Sequence, residues 1–280
     1  MIWPFKPKPS KQIARVEVKG AIGPGTRKRL LEVLKQVEEK KFPALLLRID
    51  SPGGTVADSH EIYHALKRLQ DKVKIVASFG NISASGGVYI SMGAPHIMSN
   101  PGTITGSVGV ILRGNNIEKL LDKVGVSFKV IKSGPYKDIL SFDRQLTPEE
   151  EQILQALIDN SYNQFTSIIA ENRKLPIETV RSFADGRIFT GEQALELGTV
   201  DRLGTEEDAR LWLAELAGLD PDKTKLYNFD EPKSLLSRVS GGDSRLAQSW
   251  VNAHPGIGAG LEWLSFEVET SGLPLWLYRP

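Results

Sequence analysis

Residues 73–91 read VKIVASFGNISASGGVYIS and change character halfway along. The first half is an apolar run typical of a buried strand. A helix is predicted to open at Ser85, in the tripeptide Ser85-Gly86-Gly87. The segment therefore predicts a strand-to-helix turn that carries a hydroxyl. Backbone N–H groups at a helix start can stabilise an oxyanion, so the turn suits a nucleophilic serine. Taken alone, glycine and serine at a turn more often indicate only tight backbone geometry.

Strands and helices alternate on both sides of this turn. Residues 12–18 and 44–50 predict strands, and the apolar spacing of residues 25–40 and 56–70 predicts helices. A short strand is predicted at 96–99. This rhythm indicates an α/β fold, a sheet with parallel strands and helical crossovers. The carboxyl ends of such strands meet at one edge, where ligands usually bind.

The second half of the chain is predicted to be mainly helical. Thr147-Pro148-Glu149-Glu150 has the pattern of a helix start, with threonine as N-cap and acids in the first turn, and this helix should run to Asn172. Its apolar stripe predicts core or a subunit interface. Further strands are predicted at 107–112 and 127–132, and further helices at 115–124, 176–183, 190–197 and 204–217.

Composition excludes several classes of function. The chain has 280 residues, with 35 lysines and arginines against 34 acidic residues, which is an ordinary balance for a globular protein. It has no basic block or nucleic-acid motif, so we expect no nucleic-acid partner. It has no cysteine, which excludes a thiol nucleophile, disulfides and thiolate metal sites.

We expect three parts: a flexible segment at 1–11, one folded domain at 12–230, and a Gly-rich linker with an apolar tail at 231–280. The first residues do not resemble a signal peptide, and no stretch reaches the roughly 18 apolar residues that spanning a bilayer requires. We therefore expect a cytoplasmic or peripheral membrane protein. The tail is too apolar to be inert, and we expect it to dock on its own domain or a neighbouring subunit.

A nucleophilic serine needs a base, and two kinds are available. His96, beside a proline at a strand edge, is one candidate. His60 and His64 share a helix face and could form a ligand pair, but no third ligand stands out. Lys137 would serve if burial left its amine neutral, and its turn could aim it inward. Taken alone, it is more simply a surface lysine beside its acidic neighbour Asp138.

Four segments together resemble the signal peptide peptidase A family of Ser-Lys proteases. They are SPGG at 51–54, ASGG with a following tyrosine at 84–89, TGSVGVI at 105–111 and GPYKD at 134–138. The likeness extends over about residues 12–205, with the motifs in the family's order and spacing.

The resemblance also assigns roles to residues. It implies that Ser85 is the nucleophile and Lys137 the general base. The N–H groups of Gly54 and Gly86 would form the oxyanion hole, and Ser107 would orient the lysine. Gly53 could serve instead of Gly54, because a register of one residue is beyond sequence reasoning.

The resemblance implies a fold similar to Clp protease and crotonase subunits, a spiral of β-α units with an extending helix for oligomerisation. It further implies a ring-like homo-oligomer that hydrolyses membrane-derived peptides, such as signal-peptide remnants, without a metal or organic cofactor. Many relatives begin with a membrane-spanning anchor, and the start of this sequence does not resemble one. Two alternatives remain: a crotonase-like acyl-CoA enzyme and a non-catalytic peptide-binding scaffold.

Overall fold

The computed structural model describes residues 8–229 and 275–277. A short 3-10 helix, Pro9–Lys11, precedes the first strand. The described strands are β1 (Gln12–Lys19), β2 (Ala44–Ser51), β3 (Gly53–Thr55), β4 (Lys74–Ala84), β5 (His96–Ser99), β6 (Ile104–Gly106), β7 (Ile188–Thr190), β8 (Arg202–Leu203), β9 (Lys225–Asn228) and β10 (Leu275–Leu277). The described helices are α1 (Pro24–Glu39), α2 (Val56–Leu69), α3 (Gly86–Ser91), α4 (Glu118–Val124), α5 (Pro148–Arg173), α6 (Ile177–Phe183), α7 (Gly191–Glu196) and α8 (Glu206–Leu216).

The main sheet has the strand order β7-β6-β4-β2-β1-β9, and β5 pairs with both β4 and β8. The pairs among these strands are parallel, apart from the antiparallel pair of β6 and β7. Strand β4 lies in the middle of the sheet, between β2 on one side and β5 and β6 on the other, and it changes partner along its length. Its first half pairs with β5 and its last three residues pair with β6, which carries the sheet toward the turn at Ser85.

Helices cover both faces of the sheet, which accounts for the nearly continuous apolar run of β2. On one face α1 and α2 bury Leu30, Leu34 and Leu66 against alternate residues of β1 and β2. On the other face α8 buries Trp212 and Leu213. The predicted parallel sheet with helical crossovers is confirmed.

Most predicted elements lie within a few residues of the observed ones, but two predicted strands are wrong. Residues 107–112 leave the sheet because Ser107 adopts a φ of 52°, in the left-handed region, and Ile111 makes only an isolated bridge to Leu275. Residues 127–132 have the apolar alternation of a strand but form no regular structure, and Ile131 is 91% exposed. The pattern was misleading there because none of the described strands pairs with the segment.

The described part of the chain contains no helix that is both long enough and apolar enough to cross a membrane. The expectations for residues 1–7 and for most of the linker and apolar tail, 231–274 and 278–280, fall outside the described residues. Within the tail, β10 runs antiparallel to β3, and Leu275 is buried.

Candidate active site

Ser85 occupies a strained turn between β4 and α3. Its φ of 51° and ψ of −115° lie in a region that residues with a side chain rarely adopt. The residue is 1% exposed, and its Oγ has no hydrogen-bond partner among the residues that the structure describes. Both strain and an unpaired buried hydroxyl cost free energy, and such costs are typically found at functional sites.

The backbone around Ser85 ties the turn to its neighbours. The Ser85 N–H donates to the carbonyl oxygen of Gly106 at 2.8 Å, and its own carbonyl accepts from the Tyr89 N–H at 2.9 Å. Gly106 ends β6, so Ser107 lies at the same sheet edge as Ser85. Ser107 is fixed in turn by its N–H, which donates to the Arg187 carbonyl at 2.7 Å. The structure therefore brings two of the predicted site residues to one edge.

The SPGG turn reaches the same edge. In the register of β2 and β4, Ser51 lies beside Ser83. A Cβ atom on Gly87 would lie 3.0 Å from the Ser51 carbonyl oxygen, so glycine allows α3 to approach the end of β2 closely. The segments 51–54, 83–87 and 105–107 consequently meet at the carboxyl ends of β2, β4 and β6, as the sheet topology predicts.

The two glycines of this turn differ in the direction of their N–H groups. The Gly53 N–H donates to Ser51 Oγ at 3.1 Å. The Thr55 N–H donates to the Ile22 carbonyl at 2.9 Å. Since successive N–H groups of a strand point to opposite edges, the Gly54 N–H faces the edge along which β10 runs. A Cβ atom on Gly54 would lie 1.9 Å from the Ile22 carbonyl oxygen, so only glycine fits there.

Lys137 forms no hydrogen bond with the Ser85 hydroxyl in the described chain. It lies in the irregular segment between α4 and α5, and it is exposed, whereas Ser85 is buried. Its N–H donates to the Gly134 carbonyl at 3.3 Å. Within residues 8–229 its side chain forms no hydrogen bond or ion pair. The inward-aimed, buried amine expected from the sequence is not found, and the pairing of Lys137 with Ser85 stays a prediction.

His96, the histidine considered as a base, lies far from Ser85 in the sheet. His96 stands beside Val76 in the register of β4 and β5, and its ring packs on Trp212 at 5.0 Å. Val76 precedes Ala84 by eight residues on the same strand, which places His96 roughly 25 Å from the Ser85 turn. Burial lowers the pKa of His96, and Asp201 opposes this only in part.

His60 contacts Tyr89, the tyrosine that follows the ASGG motif, and the sequence did not predict this contact. Its Nδ1 lies 2.7 Å from the hydroxyl of Tyr89, which is buried on α3. Burial and the adjacent His64 lower the pKa of His60, and burial raises the pKa of Tyr89. Among the described residues no group of three or more histidines and acids is placed to hold a metal ion. The His60–Tyr89 contact fixes α3 against α2.

An open cavity of about 650 Å³ lies next to the site. Ser107, Ile111, Tyr162 and Leu275 are among its lining residues. Leu275 is 2% exposed and reaches this cavity from β10. The cavity is therefore bordered by a predicted site residue on one side and by the C-terminal strand on another.

The sheet order, and the turn by which its central strand β4 enters α3 at Ser85, define a Clp-like α/β fold. The structure is similar to that of a ClpP1 point mutant from Listeria monocytogenes, with a TM-score of 0.50 and 18% identity over 70% of this chain and 94% of that one. It is also similar to a point mutant of the 1510-N membrane-bound stomatin-specific protease, with a TM-score of 0.54 and 17% identity over 79% of this chain and 99% of that one. These likenesses confirm the predicted Clp-like fold.

The sequence model of peptidase family S49 matches residues 67–220, and the chain belongs to that family. It is 69% identical, over the full length of both chains, to the Synechocystis sp. protein named "Putative protease slr0021". It is 38% identical to the Enterococcus faecium "Putative signal peptide peptidase SppA" over 64% of this chain and 53% of that protein. It is 34% identical to "Serine protease SPPA, chloroplastic" of Arabidopsis thaliana over 80% of this chain and 34% of that protein. The chain thus spans about half and a third of these two relatives, and the resemblance read from its motifs is confirmed.

Proposed function

We propose that this serine peptidase cleaves peptides with Ser85 as nucleophile and Lys137 as general base. The observation that carries the proposal is the Ser85 hydroxyl, which is buried without a described partner in a strained turn at the start of α3. A structural serine in a buried turn would ordinarily be hydrogen-bonded. Membership of family S49 supports the same assignment.

The N–H groups of Gly54 and Gly86 are the proposed oxyanion hole. Gly86 follows Ser85 as the first residue of α3, where helix N–H groups have no partner within the helix. Of the two glycines left open by the sequence, we favour Gly54: the Gly53 N–H is bonded within the turn to Ser51 Oγ, whereas the Gly54 N–H faces the edge that β10 covers and would be available to a peptide that replaces that strand. The loss of one such donor typically lowers the rate about 100- to 1,000-fold.

Ser85 attacks the peptide carbonyl while the neutral Lys137 amine takes the proton from its Oγ. The C–N bond then breaks, and the departing amine receives that proton from Lys137. Water, activated by the same lysine, hydrolyses the acyl-enzyme and frees Ser85. Ser107, at the edge next to Ser85, would accept or donate a hydrogen bond to the amine and orient it.

The exposure of Lys137 in the single chain favours a homo-oligomer as the active form. Phe128, Val130 and Ile131 lie on the same segment and are also exposed. Such an apolar surface is typical of a protein interface. Cover from a neighbouring copy would bury the segment and desolvate Lys137, as its role requires. A ring-like assembly, acting on membrane-derived peptides such as signal-peptide remnants at a membrane surface, fits the resemblance.

A serine-reactive phosphonate tests the dyad. We expect the phosphonate to label Ser85 in the wild-type protein and to label it far more slowly in Lys137→Ala, since loss of a general base typically lowers the reaction rate about 100- to 10,000-fold. Lys129→Ala is the matched control, because Lys129 is an exposed lysine of the same segment. Full peptidase activity in Lys137→Ala would overturn the proposal. Labelling without peptide cleavage, or cleavage of a thioester alone, would favour the scaffold or the crotonase-like alternative.

A further inference from the structure

The turn that carries Lys137 is fixed by charged contacts to the residues around it. The Lys132 ammonium donates to the Pro135 carbonyl at 2.9 Å and to Asp138 Oδ1 at 2.6 Å. These two bonds run from Lys132, before the turn, to Pro135 on one side of Lys137 and Asp138 on the other. The amine of Lys137 itself takes no part in them.

Arg144 holds the turn from the other side. Its guanidinium donates to the Asp138 carboxylate at 2.9 Å and to the Asp138 main-chain carbonyl at 3.1 Å. The second bond matters because it fixes the backbone directly after Lys137, where a carboxylate contact alone would fix only a side chain. The same guanidinium forms two short bonds to the carboxylate of Glu150, at 2.7 and 2.6 Å.

Glu150 connects this arrangement to the core. It is 1% exposed in the first turn of α5, and its carboxylate also accepts from the Thr147 N–H at 2.9 Å. Farther along α5, Phe165 and Ile169 are fully buried in the core. Arg144 therefore joins the irregular segment that carries Lys137 to a helix that is packed into the domain. The capping box of Thr147 and Glu150 is complete without Arg144, so the cap alone does not account for the arginine.

The carboxylate nearest to Lys137 in sequence, that of Asp138, pairs with Lys132 and Arg144 and so does not hold the Lys137 amine in an ion pair. Hydrogen bonds from Arg144 and then Lys132 hold the pKa of Asp138 well below its usual range. Bonds to Glu150 and Asp138 raise the pKa of Arg144. Asp138 is thus committed to two other cations. Among the described residues Asp138 pairs with Lys132 and Arg144 and not with its neighbour Lys137.

We propose that Arg144 is a positioning residue for the reaction: by bonding Asp138 and Glu150 together, it sets the backbone that presents Lys137 to the nucleophile. The inference rests on the proposed role of Lys137 as base. The planar guanidinium of an arginine has several N–H donors and can bridge two carboxylates and a carbonyl in one fixed geometry, which a lysine ammonium cannot reproduce.

The test compares Arg144→Ala with Arg210→Ala in the full chain. Arg210 is a matched control, since its guanidinium donates two hydrogen bonds to the Glu207 carboxylate and one each to the carbonyls of Pro221 and Thr224. Turnover is measured per Ser85 site titrated with phosphonate, so that unfolded protein does not count. We expect Arg144→Ala to lower kcat about 10- to 100-fold with little change in KM, because a misplacement near 1 Å can cost about 100-fold. Arg210→Ala should keep its kcat at a comparable loss of Tm.

Two further variants separate position from charge. Arg144→Lys keeps the charge and should remain impaired. The double variant Asp138→Asn/Arg144→Ala should lose little beyond Arg144→Ala if both residues act through the same turn. Unchanged kcat per site in Arg144→Ala, or an equal fall in Arg210→Ala, would overturn the inference. In either case an inactive Lys137→Ala variant would leave the dyad standing, whereas an active one would remove the dyad itself.

Discussion

The main-chain N–H of Ser85 donates to the carbonyl oxygen of Gly106 across 2.8 Å. This bond joins the end of β4 to the end of β6 and brings Ser107 beside the candidate nucleophile. Both serines have left-handed backbones, with φ of 51° and 52°. Two strained serines on adjacent strand ends cost free energy, and strain of this kind is typically found where the geometry serves a functional site.

Ser83 and Ser85 provide a matched pair of substitutions. Both hydroxyls are buried without a hydrogen-bond partner in the described part of the chain. Replacing either serine by alanine removes an unpaired polar group, so we expect stability to be kept or raised, by up to about 1–3 kcal/mol. We expect Ser85→Ala to abolish peptidase activity and Ser83→Ala to retain it. Thermal unfolding together with peptide cleavage checks both, and equal activity loss in the two would remove Ser85 as the nucleophile.

Gly54→Ala should destabilise the fold as well as the site. The added Cβ would lie 1.9 Å from the Ile22 carbonyl oxygen, so β3 must move away from Ile22. Substitutions that force such strain often cost about 1–3 kcal/mol. Gly25→Ala is the control, because a Cβ at Gly25 on α1 meets nothing within 4 Å. A lower Tm for Gly54→Ala alone is expected, and equal Tm values would show that β3 can shift freely.

The fold was predictable where local pattern and tertiary pairing agree. The strand at 44–50 is apolar because helices cover both faces of the sheet, and its sequence records that burial. Residues 127–132 show the same apolar pattern but pair with no described strand. The sequence of one segment does not reveal whether another strand lies beside it. Short strands such as β3 and β7 were missed because three residues give too little periodicity to detect.

The site was predictable only in part. Ser85 follows β4, Ser107 follows β6, and the turn that leads to Gly54 follows β2, so parallel topology alone brings these segments to one edge. Lys137 follows no regular element, and the contact between Arg144 and Asp138 depends on how an irregular segment folds back on α5. Spacing cannot predict such a contact. Nor does it predict the bond between His60 and Tyr89.

Glu150→Gln should flatten the acid limb of the stability curve. Hydrogen bonds from Arg144, and then from the Thr147 backbone, lower the pKa of Glu150 from 4.5 to about 2. A depressed carboxyl pKa stabilises the folded state above the unfolded pKa, and this contribution is lost as the pH falls from 4.5 toward 2. Glutamine retains the capping box but cannot titrate. Urea unfolding at several pH values in that window should show a shallower fall for the variant, and parallel curves would contradict the linkage.

The last prediction concerns the pairing of β10 with β3. Gly54 stands opposite Trp276, and Leu275 exchanges hydrogen bonds with Ile111 at 2.9 and 3.1 Å. Because N–H groups alternate along a strand, the Trp276 N–H faces β3. A peptide that adds to β3 in an extended conformation would compete with β10 for the Gly54 edge. The described C-terminal strand should therefore reduce the cleavage of added peptides.

Trp276→Pro removes the N–H that faces β3, whereas Leu277→Pro removes one on the opposite edge and is the matched control. We expect a several-fold higher rate of peptide cleavage for Trp276→Pro and a smaller change for Leu277→Pro. A synthetic peptide with the sequence of residues 273–277 should then inhibit the Trp276→Pro variant by occupying the vacated edge. Amide exchange at Gly54 reports whether the pairing is lost. If Gly54 exchanges faster while the cleavage rate stays at the wild-type value, then β10 does not compete with substrate, and the edge of β3 is not where peptides bind.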